Sequence, residues 1–430
     1  MAMKLPREVD YVGSKPSSLP NGTSCISTVV VPSNGSSFGA TDIIQLDLPS
    51  RGYICPESIY IRYKITTTGH AGATSIRGTP VYTPFQKLET LIGSQVVESI
   101  NNYGQLCNMI VNLKMNNSSK NGMAASLGYA DNATPASVSL TNINTNGRLL
   151  AATPDTSFLA GPLGCIFSNA DKLVPLKFMP ACRIQLTIDS LANIYYAATT
   201  TPTSLAITNF ELCFDLIDFP AEVDAAVASM ADANGKLFIK SQSYLSSGQS
   251  LPQNSVGTLE FIYNMRLASI KSLFLQNYGT SLNRGYDAYD VCGSAGGDYQ
   301  FFVASMPYPQ RPLSTVQNKA GILTELLSAF GPAHDLTTSQ CGISPSNAFV
   351  QLGTATTVAA PAYFFVGTNT ERLSTNAVML SGVSSQNSPI SCRINIGTST
   401  GANTCVSQLT ALYDAVFEID VANKQVAILQ

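Results

Sequence analysis

Tryptophan is missing from all 430 residues, histidine occurs twice, and only 12% of the side chains carry a charge. Each scarcity removes a class of function. A triad built on histidine, or a metal held by several imidazoles, needs histidine beside its chemical partners. His70 and His334 lie apart in polar stretches and read as loop residues. Sugar-stacking platforms favour large aromatic faces, and the largest is absent. Phosphate contacts would require a basic patch; net charge is −3 and the pI about 5.5, so no specific nucleic-acid site is expected. No run of about 18 apolar residues marks a membrane helix. Met1 to Asp10 lacks the apolar core of a signal peptide, so cytoplasmic synthesis without secretion is expected.

The cysteines also lack a pattern. Cys25, Cys55, Cys107, Cys165, Cys182, Cys213, Cys292, Cys341, Cys392 and Cys405 contain no C-x-x-C pair, and several sit in apolar runs, as Cys213 does in ELCFDL. They read as reduced thiols, mostly buried, in place of a disulfide framework. The sequons at Asn21, Asn34 and Asn132 are then chance matches.

Short motifs fare no better. Gly35-Ser36-Ser37-Phe38-Gly39 fits G-x-S-x-G, but a strand-like run, Ile43 to Leu48, follows where a helix is required. Asp232-Ala233-Asn234-Gly235 is too short for a calcium loop and reads as a helix stop. Gly293 to Gly297 has no lysine after it, so it is no phosphate loop. Arg62 and Lys64 lie on a polar strand face among tyrosines, a solvated or interface face. No catalytic, cofactor-binding or metal-binding residue is nominated, and an enzyme is not expected.

What is present is apolar content of 45%, enough for folded cores, with polarity supplied by Ser, Thr, Asn and Gln. A surface poor in charge suits extensive subunit contacts, because little charge must be desolvated. Period-2 alternation predicts strands: Ile59, Ile61, Tyr63 and Ile65; Ile184, Leu186 and Ile188; Phe417, Ile419 and Val421. Long Gly/Ser/Thr/Asn stretches separate them, notably 66–80, 115–147, 279–298 and 333–361. Three helices are predicted. One carries Val97, Ile100, Tyr103, Leu106, Ile110 and Leu113. A second carries Val316, Ala320, Leu323, Leu327 and Phe330, starting at a Ser314-x-x-Gln317 capping box and stopping at Gly331-Pro332. The third spans 220–232, with Pro220 near its start and Glu222 and Asp224 in the first turn.

The chain also repeats itself. Ser58-Ile59-Tyr60-Ile61 matches Ser272-Leu273-Phe274-Leu275, and Gln86-Lys87-Leu88 matches Gln300-Phe301-Phe302. The first helix falls on the second. Cys182-Arg183-Ile184 matches Cys392-Arg393-Ile394, and Phe210-Glu211-Leu212 matches Phe417-Glu418-Ile419. The shared order divides the chain into an arm (1–22), a first β domain (23–218), a linker helix (219–235) and a second β domain (236–430). Long returns between strands favour jelly rolls over simple meanders.

Several segments carry a resemblance. FIKSQSYLSSGQSLP (238–252) with NMRLASIKSLFLQ (264–276) resembles the opening of a second barrel; GPLGCIFSNADKLVPLKFMPACRIQLTIDS (161–190) resembles a late first-barrel region; YQFFVASMPYPQRPL (299–313) resembles a strand entering a Tyr-Pro and then a helix. The chain from about 40 to 430 resembles the double jelly-roll major capsid proteins of tailless phages, virophages, polinton-like elements and giant DNA viruses. The smaller members fit its length best. The resemblance implies an all-β fold of two tandem jelly-roll β-barrels, eight-stranded sandwiches each with an inserted helix, joined by a short linker helix. It implies a homotrimer with a nearly hexagonal outline that tiles an icosahedral shell through capsomer–capsomer contacts, in a virion assembled from protein made in the host cytoplasm. It also implies minor capsid and penton proteins as partners, outer-surface loops, and an arm (1–22) on the inner side against neighbouring capsomers or an internal membrane. No cofactor is implied. A tandem β-sandwich carbohydrate-binding or adhesion protein is the alternative, and a β-rich hydrolase using paired carboxylates is a third.

Overall fold

The computed structural model describes residues 19–70, 74–115, 122–129, 147–150, 154–197, 202–279, 297–314, 318–330, 364–371, 380–397 and 405–430. Alternating sequence becomes half-buried strand. In Tyr60–Thr68, the inward Ile61, Tyr63 and Ile65 are buried, and Arg62 between them is exposed.

The N-terminal half holds β1 (Ser24–Val30), β2 (Ile43–Asp47), β3 (Tyr60–Thr68), β4 (Phe85–Ile92), β5 (Gln95–Asn101), β6 (Asp155–Pro162), β7 (Cys182–Ile188) and β8 (Ser204–Asp218). One sheet runs β1-β8-β3-β6 and the other β2-β7-β4-β5, all pairs antiparallel. The C-terminal half holds β9 (Lys236–Leu251), β10 (Gly257–Tyr263), β11 (Ile270–Gly279), β12 (Asp298–Val303), β13 (Met306–Ser314), β14 (Phe365–Asn369), β15 (Ile390–Ile396) and β16 (Cys405–Asp420). Its sheets run β9-β16-β11-β14 and β10-β15-β12-β13. Adding eight to each strand number of the first half reproduces the second. The path that steps repeatedly between two four-stranded sheets is the jelly roll. The extra strand β17 (Gln425–Leu429) pairs with β16, and Tyr53–Ile54 and Ser37–Phe38 extend the first sheet along β8.

Aromatic rings fill the first core between its sheets. Tyr63 of β3 lies edge-on to Phe85 of β4 at 5.6 Å and stacks on Phe210 of β8 at 5.5 Å. In the second sandwich, polar links cross the same gap. Tyr263 of β10 donates to the Ser407 carbonyl of β16 at 3.3 Å, and Asn277 of β11 to the Tyr299 hydroxyl of β12 at 3.4 Å.

Helices α1 (Tyr103–Lys114) and α3 (Lys319–Phe330) follow β5 and β13, the same place in each half; α2 (Ala221–Ser229) joins the sandwiches. The first helix is shorter than its apolar spacing predicts. Val97 and Ile100 belong to β5, and Asn102, at φ +53°, turns the chain between strand and helix. An i, i+3 spacing at the end of β5 runs on by coincidence into α1. The capping box at Ser314 is also corrected: Ser314 ends β13, and Asn318 caps α3 by accepting the Gly321 N–H at 2.8 Å. Gly331-Pro332 lies outside the described residues. Of the long stretches, 66–80 contains the end of β3 and a strand at Thr74–Arg77; most of the other three lies outside the described residues.

The repeat holds strand for strand but not residue for residue. Cys182 faces Ile92 and Cys392 faces Phe301. Matching the cysteines therefore sets Ile92 on Phe301, five residues from where the Gln86–Gln300 match puts it. Likewise Tyr60 faces Cys213 and Phe274 faces Thr410, ten residues from the Phe210–Phe417 match. Short anchors among similar strands slip in register while the topology stays.

Candidate functional site

The two sandwiches meet along a seam built from their outermost strands. β5 is the last strand of its sheet and β9 the last of its own. Glu98 of β5 is buried beneath β9. Three donors hold it: Thr90 Oγ1 at 2.7 Å, the Ile166 N–H at 3.0 Å and the Ser243 hydroxyl of β9. Burial pushes this carboxyl above its ordinary value, and the three hydrogen bonds pull back against that.

Around Glu98 the seam continues. Ser241 donates to the Ile166 carbonyl at 2.6 Å, Asn169 to the Gln242 carbonyl at 2.9 Å, and the Asp171 N–H to the Lys240 carbonyl at 2.9 Å. Phe167 stacks on Phe417 with centroids 5.8 Å apart and planes at 9°. Asn102 reaches Gln408 of β16 at 3.1 Å and the Tyr278 hydroxyl of β11 at 3.3 Å. Apolar stacking supplies area, and the serine and amide bonds fix register.

A second buried carboxylate lies on β16. Asp414 accepts from the Ser269 hydroxyl at 2.8 Å and the Ser381 N–H at 3.0 Å, with the ammonium groups of Lys240 and Lys271 at 3.6 and 3.9 Å. Glu371 sits 3.4 Å from Lys271, so the cluster has two acids and two bases. Lys240 also supplies the carbonyl that Asp171 bonds, which ties the cluster to the seam.

The outer face of β3, β6 and β8 carries a shallow groove of about 540 Å³ lined by Arg62, Tyr63, Phe158, Asn209 and Glu211, with Ala125 and Ser126 at its rim. Arg62 is paired with Glu211, and the Lys64 ammonium lies 5.8 Å from the centre of the Phe158 ring. The expectation of a solvated or interface face for Arg62 and Lys64 fits this geometry.

The other residues singled out in the sequence are structural. Ser37–Phe38 is a short strand on β8, so Gly35 to Gly39 is no strand-to-helix elbow. Asn34 is committed to β2, donating to the Ile43 carbonyl and accepting the Gln45 N–H. Asp232 accepts the N–H groups of Asn234 and Lys236 and closes the turn after α2, with Gly235 at φ +76°. Eight cysteines are described and all are free thiols, six of them buried. Burial pushes Cys107, Cys165 and Cys182 up to about 12, far from the thiolate a nucleophile needs. His334, Cys292, Cys341, Asn132 and residues 293–296 lie outside the described residues. Among the described residues, no three His, Cys, Asp or Glu side chains are grouped to hold a metal ion, and no helix is long and apolar enough to cross a membrane.

Glu98 and Asp414 escaped the sequence reading. For Asp414 a signal was available, an acid within the apolar run Ala411 to Phe417; Glu98, among polar neighbours in β5, offered none.

No family model and no curated protein matches the sequence. Solved structures do match. The PBCV-1 virus capsid aligns with a TM-score of 0.62 at 10% identity, covering 97% of this chain and 98% of that one. The Faustovirus major capsid protein aligns at 0.60 and 10% identity, covering 94% and 91%. The Sputnik virophage structure aligns at 0.52 and 13% identity, covering 100% and 92%. The chain has the double jelly-roll fold. Both barrels take part, because coverage is nearly complete on each side. In this double jelly roll, the seam between barrels carries a buried carboxyl, Glu98, and buried serines of β9.

Proposed function

We propose that this chain is the major structural protein of an icosahedral virus shell, three copies forming a ring of six sandwiches. The observation that carries the proposal is the duplication itself: two sandwiches of one topology share a seam within one chain, so three chains can occupy six similar positions. The likeness to capsid structures over nearly the whole length supports it, as does a surface with few charges to desolvate. The functional division is an arm (1–22), two shell-forming sandwiches (23–218 and 236–430) and a linker helix (219–235).

On this reading the chain works by assembly and performs no chemistry. Its partners are further copies of itself, the minor proteins at vertices, and an internal membrane or neighbouring capsomers against the arm. Its place is the virion, after synthesis in the host cytoplasm. Size-exclusion chromatography with light scattering tests this: the expected mass is three times the 45.6 kDa of the chain, with hexagonal outlines in negative stain. An obligate interface of roughly 2,000 Å² or more is expected between copies. A stable monomer at micromolar concentration would sink the proposal, and saturable sugar binding would favour the adhesion alternative.

A further inference from the structure

The cluster at Asp414 brings amines, a carboxyl and a second acid together within the second sandwich. Asp414 is fully buried, and its two oxygens have different surroundings. Oδ2 accepts from the Ser269 hydroxyl at 2.8 Å and the Ser381 N–H at 3.0 Å, with the Ser381 hydroxyl at 3.2 Å. Oδ1 accepts no hydrogen bond and faces the ammonium groups of Lys240 and Lys271, at 3.6 and 3.9 Å. The local backbone aims these groups. The pairing of β11 with β16 shifts register between Ile270 and Ser272, so Lys271 is the extra residue of a bulge, and bulges re-aim side chains. The Gly382 N–H donates to the Ser269 hydroxyl at 2.8 Å, and a Cβ at Gly382 would collide with the Ile270 carbonyl. Glycine there lets Ser381 lie close against β11. Glu371 sits 3.4 Å from the Lys271 nitrogen and accepts the Ser381 hydroxyl at 2.6 Å. A line of proton carriers thus runs from Lys271 Nζ through Glu371 and Ser381 to Asp414 Oδ2.

We infer that Lys271 and Asp414 condense into an amide, a covalent bond between β11 and β16. Lys271 Nζ attacks Asp414 Cγ. Negative charge develops on Oδ1, the oxygen that the Lys240 ammonium faces. Two protons leave Nζ and pass by way of Glu371 and Ser381 to Oδ2. The Cγ–Oδ2 bond breaks and Oδ2 departs as water. Oδ1 remains as the amide oxygen, and Glu371 and Ser381 end as they began. No oxidant or co-reactant is needed. Holding amine and carboxyl in one folded site raises their effective concentration far above any reached in solution. The reaction also removes a buried ammonium and a buried carboxylate together, charges that are costly to keep out of water. The shell reading needs no such step. This one happens once, within the chain, and turns over no substrate.

Mass spectrometry of the folded, full-length chain reads the bond directly. The wild type is expected to weigh one water less than its sequence. Trypsin is expected to release a branched peptide joining Leu267–Arg284 to Ile394–Lys424. Lys271→Arg keeps the charge without the condensing amine, and Asp414→Ala removes the carboxyl; both are expected at the full sequence mass. Glu371→Gln is expected to lose the bond while its far-UV circular dichroism stays that of the wild type. Lys240→Arg keeps a cation at Oδ1 and is expected to keep the bond. A wild type at full sequence mass overturns the inference, whatever its oligomeric state, and the shell reading is untouched by that result. A branched peptide through Lys240, or a bond undiminished in Glu371→Gln, overturns the roles assigned to Lys271 and Glu371. The wild-type mass and its peptides decide the matter even if a variant fails to fold.

Discussion

Glu98 shows what one residue can decide. Three donors converge on a carboxyl that burial holds above its ordinary value of 4.5. A carboxyl raised in the folded state binds its proton more tightly there than in the unfolded chain. Its contribution is therefore fully present below that ordinary value and is lost as pH climbs through the folded value. Glu98→Gln is expected to flatten that dependence and raise the melting temperature at pH 8 relative to wild type. Glu98→Ala strands three donors and is expected to cost about 3 kcal/mol in urea unfolding. Asp414 is held by the Ser269 hydroxyl and the Ser381 N–H, with two ammonium groups behind them. Removing its charge leaves Lys271 with Glu371 and takes this carboxylate from Lys240, and Asp414→Asn is expected to cost about 3 kcal/mol, read by the same unfolding curves. Equal stability of this variant would show that the cluster contributes nothing.

At the level of elements, strands were legible and boundaries were not. Ile61, Tyr63 and Ile65, or Ile184, Leu186 and Ile188, alternate so regularly that one face must be buried, and they are. The correspondence of the two halves was legible too, from the shared order of the repeated anchors. Exact register was not, because a slip of two residues keeps every side chain on its own face and leaves the pattern unchanged. Helix starts failed where two elements abut: Val97 and Ile100 fit a helical period by accident, and only the turn at Asn102 separates them from α1. The cap of α3 is a testable case. Asn318→Ala removes the acceptor for the Gly321 N–H and is expected to cost about 1 kcal/mol, measurable by chemical denaturation. Ser314→Ala, the mutation the sequence motif would have suggested, is expected to leave that cap intact. The seam was illegible because its contacts join residues far apart in sequence, such as Asn102 with Gln408, and no local pattern encodes them.

Across the whole molecule, coupling between sandwiches passes through the seam. Phe167 is fully buried and stacks on Phe417. Phe167→Ala is expected to cost about 3 kcal/mol and to split a single calorimetric unfolding peak into two, one for each sandwich. A single unshifted peak would mean that α2 and the hydrogen bonds alone keep the halves cooperative. The strand-for-strand doubling with diverged side chains also bears on how such a chain can evolve. In a ring of six identical sandwiches, any substitution is imposed at every position. With two linked copies per molecule, a change at Glu98 leaves the second half untouched, so alternate contacts can be strengthened, loosened or given a new ligand without compromising their neighbours. The second half is in effect a spare, free to acquire properties the first must not have.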